Sequence, residues 1–341
     1  PLDYDNKESG RLPARLRRSD MCPTLSEYAK LSTDVLESKI MENLMTADEL
    51  TAVLEWESMA CNAQLYDREN AVPTTTTHAV GDIWSDTEPT YTQKTAALTI
   101  VGVQTPLDRF VLQTRSNVMD QEAATKAGML KSLSRKIAQY VIQGEPESVT
   151  TEFEGLDSLC RAETRMRAMD DGVLDGPGTA ETTLTQARFD VVMDDIEGGQ
   201  TGSSKPDCII LNKMMRRKLT SLARASTSGI QLTQIDLYGH QVMGYDGVPL
   251  IITDWITNAE IYNDSGTWPS STATSIFVVQ KGKAKQGYTM LHNGPVVQPD
   301  IQNIGIKVDK NENLYRVALY MQAITWSAKK IAALGGIDSA S

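Results

Sequence analysis

Residues 119–146 read MDQEAATKAGMLKSLSRKIAQYVIQGEP. Ala123, Ala127, Leu130, Leu133, Ile137 and Val141 recur at intervals of three and four, which predicts one helix from about Met119 to Gln143 with a single buried stripe. Gly144 and Pro146 then stop it. At 1.5 Å per residue such a helix is ~36 Å long, long for a globular protein.

Upstream of this helix the chain changes character twice. Residues 66–97 are polar and β-branched, with Val72-Pro73-Thr74-Thr75-Thr76-Thr77, Gly81, Trp84 and Pro89. Leu98–Gln113 is rich in Val, Ile, Leu and Thr and reads as strand despite Pro106. Together they predict a long extended hairpin. A lone two-stranded hairpin is marginal in water, and this one is too polar at its tip to build a core. It must lie on something else, and a neighbouring copy of the chain is the candidate. Further upstream, Thr24-Leu25-Ser26-Glu27 and Thr46-Ala47-Asp48-Glu49 fit the capping box of two helices. Behind the second helix start lie Leu50, Val53, Leu54 and Met59 at roughly helical spacing. Residues 1–23 are a polar arm carrying Arg11, Arg15, Arg17 and Arg18, whose order has to come from partners.

Downstream, 170–183 and 200–206 are loops. A helix spans 185–197 with Phe189, Val192, Met193 and Ile196 on one side. Cys208-Ile209-Ile210-Leu211 reads as a buried strand, and Asn212 caps a basic helix running through Ala223. Val242–Ile252 is a hairpin about Asp246-Gly247, where glycine accepts positive φ. Ser275–Gln280 is a strand. Ile304, Ile306 and Val308 face a second long strand, Leu314–Trp326, across a turn at Asp309–Asn313. Tyr315, Val317, Leu319, Met321 and Ala323 fall on one face of that strand.

The chain has 341 residues, above the ~250–300 at which one core stops growing, so two or more packed units are expected. Its net charge of −11 argues against a dedicated nucleic-acid binder. Cys22, Cys61, Cys160 and Cys208 are too scattered for a zinc site and read as free thiols of a reducing compartment. No apolar run is long enough to span a bilayer, and the first residues show no signal-peptide pattern. Pro1 in place of Met points to Met removal or proteolytic trimming.

Catalytic patterns fail on their spacing. Gly198–Lys205 resembles a phosphate loop, but Pro206 and a strand follow Lys205 where a helix is required. Asp194 and Asp195 are adjacent on a helix and so point to different faces. Asp170-Asp171-Gly172 lacks the later oxygen ligands of a calcium loop. No nucleophile elbow occurs. No catalytic, cofactor-binding or metal residue is therefore assigned, and no enzyme activity is expected. Lys213, Arg216, Arg217 and Lys218 read as the exposed face of a helix. Lys281, Lys283 and Lys285 alternate at strand spacing and suggest a guarded sheet edge. Trp84 reads equally well as an interface anchor or as a residue packed on its own domain.

The order of elements carries a resemblance that no single motif does. An arm precedes a long polar hairpin, then the long helix ending in Gly144-Glu145-Pro146, then Phe153-Glu154-Gly155-Leu156. Further on come Pro206–Asn212 entering a helix, the Gly244–Leu250 turn, and long strands from Gly305 to Lys330. This resembles the tailed-bacteriophage major capsid proteins of the Hong Kong 97 type. The resemblance implies an α+β capsid fold: an N-terminal arm and helices over 1–65, an extended loop over 66–115, a peripheral domain over 116–202 and 296–341, and an axial domain over 203–295. It further implies pentamers and hexamers tiling an icosahedral shell around double-stranded DNA, assembled in the host cytoplasm without a membrane, with portal, scaffold and decoration proteins as partners. Arg11, Arg15, Arg17, Arg18, Trp84 and Lys94 are the candidate assembly contacts. The arm arginines could touch packaged DNA, scaffold or a neighbouring subunit, or simply be solvated. Lys94 is the only lysine of the loop and has no assignable partner, so no cross-link is expected. Two alternatives stand beside this reading: an encapsulin-type compartment shell, and an unrelated α+β enzyme.

Overall fold

The structure, a computed structural model, describes residues 50, 53–71, 73–84, 86–115, 121–146, 149–169, 182–196, 205–225, 232–237, 240–258, 273–293 and 300–339. The arm with Arg11, Arg15, Arg17 and Arg18, both capping-box helix starts, Asp170–Gly172 and the Gly198-Gly199 segment lie outside these residues. The described residues fall into two compact units. One lies within Leu44–Val103, Met129–Ile301 and Val317–Ser341; the other lies within Gln104–Gly128 and Gln302–Arg316.

In the larger unit β1 (Trp56–Met59) is a strand. Met59 was expected on a helix, but it belongs to β1, whose backbone pairs in parallel with residues 290–293. β2 (Ala63–Ala71) and β3 (Thr90–Ala97) form an antiparallel hairpin of their own. β4 (Thr99–Asp108) is a separate strand, and the expected run to Gln113 is broken by α1 (Arg109–Arg115). The reason is local: the Asp108 carboxylate accepts the Phe110 amide at 2.7 Å and starts the helix. The paired hairpin thus spans 63–97.

α2 (Gln121–Gln143) is the long helix predicted from its periodicity. Its buried stripe is Met129, Leu133, Ile137, Ala138, Val141 and Ile142, while Ala123 and Ala127 are exposed. α3 (Leu156–Ala162) follows, burying Leu156, Leu159 and Cys160, and leads into β5 (Met166–Ala168).

The remaining elements are α4 (Gln186–Asp194), β6 (Cys208–Leu211), α5 (Lys213–Ala225), β7 (Leu232–Leu237), β8 (His240–Tyr245), β9 (Val248–Ile252), β10 (Ala273–Val279), β11 (Tyr288–Asn293), β12 (Asp300–Ile306), β13 (Glu312–Thr325) and β14 (Ile331–Asp338). Thr185 caps α4 through the Arg188 amide, and Asn212 Oδ1 caps α5 through the Met215 amide at 2.8 Å. Asp246 (φ 46°) and Gly247 (φ 80°) make the turn between β8 and β9.

Seven strands form one sheet in the order β5-β14-β10-β6-β9-β8-β7. Every residue of β6 and β10 is buried, the pattern of strands covered on both faces. Phe189 and Val192 of α4 and Met215 and Leu219 of α5 join Ile209, Leu211, Ile276, Val278, Ala332 and Leu334 in the main core. A second sheet has the order β1-β11-β13-β12, with β4 also paired to β13.

β14, although late in the chain, lies between β5 and β10 in the seven-stranded sheet. One expectation is corrected. Lys283–Lys285 is a 3₁₀ turn, not a strand edge, because Gly282 takes φ 96°. Its lysines are engaged. Lys281 donates to the Val53 carbonyl at 3.0 Å, Lys283 pairs with Glu57 at 2.5 Å, and Lys285 pairs with Asp207 at 2.6 Å.

In the smaller unit, Arg109 N donates to Asn311 O at 3.1 Å. The Arg316 guanidinium donates twice to Gln104 Oε1, at 3.0 and 2.7 Å. Leu107 and Val111 are buried.

Candidate assembly surfaces

The β2–β3 hairpin has a fixed root and an exposed tip. At the root, Ala96 joins Met59, Leu291 and Ile324 in a small apolar cluster, with Tyr66, Leu98 and Trp326 packed against it. Tyr66 meets Trp326 edge-on, with ring centroids 5.5 Å apart. Arg68 of β2 and Lys94 of β3 both pair with one carboxylate, that of Glu163. The Arg68–Glu163 distance is 2.5 Å, and the two side chains are 8% and 11% exposed. Arg68 also donates to the backbone carbonyls of Thr325 and Trp326. Burial by itself would raise the Glu163 pKa, but the bonds from Lys94 and Arg68 outweigh it and hold the carboxyl below its ordinary value. The same three side chains help line a cavity of about 400 Å³, together with Phe153 and Gln322 among others.

The carrier of Glu163 is itself tightly held. Glu163 is the C-cap of α3, and Thr164 turns left-handed at φ 53° to end the helix. At the other end, Gly155 N donates to Gly144 O at 2.8 Å. A Cβ on Gly155 would sit 2.5 Å from Gly144 N, and one on Gly144 would sit 2.1 Å from the Phe153 carbonyl. Only glycine permits this approach.

Beyond the root the hairpin is open to solvent. Every described side chain from Ala71 to Gln93 is exposed, apart from a half-buried His78. The hydrogen bonds Thr76–His78, Ala79–Asp82 and Thr87–Thr74 order the tip from within. Trp84 stands here, 74% exposed, its ring 4.1 Å from that of His78. Val80 and Ile83 are exposed beside it. Of the sequence-derived contacts, the structure therefore places Trp84 on the tip and Lys94 in the root. The single-sequence reading missed Arg68 and Glu163, because no local pattern links residues 95 positions apart.

A second exposed apolar group lies in the smaller unit: Phe110, Ile304, Ile306 and Val308. On α5, Lys213 and Arg217 are exposed, as expected, while Arg216 and Lys218 are half-buried. Lys213 pairs with Asp254 at 2.8 Å, and Lys218 donates to the Asp338 carbonyl.

Among the described residues no group of three or more His, Cys, Asp and Glu converges on a metal position. None of their helices is long and apolar enough to cross a membrane. Burial pushes the Cys208 thiol up to about 12 and raises that of Cys160 as well, so neither is a ready nucleophile.

No family model and no curated protein matches the sequence. Solved structures do match the fold. The holo-SrpI encapsulin complex from Synechococcus elongatus PCC 7942 is similar at 15% identity with a TM-score of 0.66, over 94% of this chain and 98% of that one. The capsid of an empty GTA particle is similar at 12% identity and 0.58, over 92% and 97%. The cyanophage A-1(L) capsid is similar at 13% identity and 0.58, over 87% and 95%. The chain has the Hong Kong 97-type capsid fold.

Proposed function

We propose that this chain is the major capsid protein of a tailed double-stranded DNA bacteriophage. It assembles with copies of itself, as pentamers and hexamers, into an icosahedral shell that encloses the genome. The observation that carries the reading is the hairpin of 63–97, rooted in its own subunit and exposed along its outer length, within a fold that capsid subunits match over 87–92% of the chain. Such an element supplies contact area on a neighbour without one large apolar patch. Weak contacts repeated around a closed shell add up through avidity. In this reading the strands and helix within 203–295 belong to an axial domain at the capsomer axis, and α2 with β12 and β13 to a peripheral domain. Portal, scaffold and decoration proteins are its partners, and packaged DNA meets it without sequence specificity. The subunit is assembled in the host cytoplasm and resides in the virion. Lys94, held by Glu163, takes no part in a cross-link.

A second reading, an encapsulin-type compartment shell, is favoured by the TM-score of 0.66 to the SrpI encapsulin. The contents of the particle separate the two. Purified particles are treated with nuclease, then opened. Protected double-stranded DNA of genome length supports the phage reading, and a co-purifying enzyme cargo without DNA supports the compartment.

A further inference from the structure

We infer that Glu163 is the positioning residue of the β2–β3 hairpin, fixing the angle at which it leaves the subunit. Arg68 and Lys94 sit on different strands, and both end on this one carboxylate. In the register Ala96 lies opposite Gln64, Lys94 opposite Tyr66 and Arg68 opposite Thr92. The carboxylate therefore fastens the hairpin at the level of the Tyr66–Trp326 contact and two residues further out, at Arg68. From Arg68 to the turn at Val80-Gly81 the chain can reach at most ~40 Å. A tilt of ~10° at the fastening then moves the tip by up to ~7 Å, enough to lose a side-chain contact on another subunit. Glu163 can hold the angle because α3, which carries it, is pinned by the Gly144–Gly155 approach and by buried Leu156, Leu159 and Cys160.

This inference rests on the reading of the hairpin as an assembly element, and its test keeps the two apart. The full-length chain and its Glu163→Gln and Lys94→Gln variants are compared in one assembly state by hydrogen exchange, thermal melting and electron microscopy. Glu163→Gln is expected to speed exchange in hairpin peptides about tenfold, as loss of a charge-assisted bond would. Peptides of β6, β10 and β14 keep their protection, and closed shells become scarce. Lys94→Gln, at a more exposed position, is expected to speed exchange of β3 roughly two- to fivefold. It should add nothing on top of Glu163→Gln. Unchanged hairpin exchange in Glu163→Gln overturns the inference, as does a rise spread equally over the sheet. If Glu163→Gln does not fold, Lys94→Gln decides: unchanged exchange in β3 overturns the inference, and a rise confined to the hairpin supports it. A wild-type chain that forms no shells overturns the assembly reading, while hairpin exchange still judges the role of Glu163.

Discussion

Gly144 and Gly155 meet backbone to backbone, the amide of Gly155 on the carbonyl of Gly144 at 2.8 Å. This contact joins the end of the long helix to the start of α3, and α3 ends at Glu163. Gly155→Ala places a methyl group among three backbone atoms no more than 2.7 Å away. Backbone cannot yield as a side chain can, so the cost is expected at the top of the overpacking range, about 3 kcal/mol. Denaturant unfolding of the variant checks this, and an unchanged midpoint would count against the contact.

Asn212 serves two elements at once. Its Oδ1 caps α5, and its Nδ2 donates to Asn258 Oδ1 at 2.7 Å and to Thr274 Oγ1 at 2.9 Å. Asn212→Ala removes a cap and leaves buried partners unsatisfied. The expected loss is about 2–3 kcal/mol, read from the same unfolding curves.

The thiols should divide by burial. Cys61 is exposed, while Cys160 and Cys208 are buried with their pKa values raised by that burial. Iodoacetamide at neutral pH is expected to label Cys61 in the folded chain, and Cys160 and Cys208 only in denaturant. Peptide mass spectrometry reads the result, and rapid native labelling of Cys208 would contradict the packing of β6 against β10.

Glu163 gives a pH dependence of known sign. Its folded pKa lies below the ordinary value because of Lys94 and Arg68, in spite of burial. Its contribution to stability is therefore complete above the ordinary glutamate pKa of about 4.3 and lost as pH falls through the lower folded value. The melting temperatures of wild type and Glu163→Gln should differ by a constant amount from neutral pH down to about pH 5. The gap should narrow below about pH 4. A constant gap down to pH 2 would remove Glu163 from the account.

Much of this fold was legible in the sequence, where local chemistry decides structure. The end of α2 at Gly144, the Asn212 cap, the Asp246-Gly247 turn and the alternation of Tyr315, Val317, Leu319, Met321 and Ala323 in β13 all follow from neighbours in the chain. β14 was not legible. Ile331-Ala332-Ala333-Leu334-Gly335-Gly336-Ile337 is buried throughout, so it shows no period-two pattern, and its glycines argue against a strand. The lysines at 281, 283 and 285 misled because Gly282 breaks the strand whose spacing they mimic. The clamp was invisible for a different reason: Arg68, Lys94 and Glu163 are joined only by the tertiary fold.

A deletion that tests the tip has to spare β3. Thr90–Ala97 is paired with β2 and carries Lys94, so a cut that reached it would damage the root. Replacing only Thr74–Pro89 with a short turn is expected to leave thermal stability within a few degrees of wild type. It should abolish closed shells. Normal particles from this variant, counted by electron microscopy, would sink the assembly role of the tip.

Whether copies of this chain close into a shell can be seen by negative-stain electron microscopy of the purified protein. Isometric shells of one or a few discrete diameters are expected, or isolated pentamers and hexamers that close into shells as concentration rises. Grids showing only dispersed monomers, at every concentration and salt condition tried, would contradict a shell-forming role.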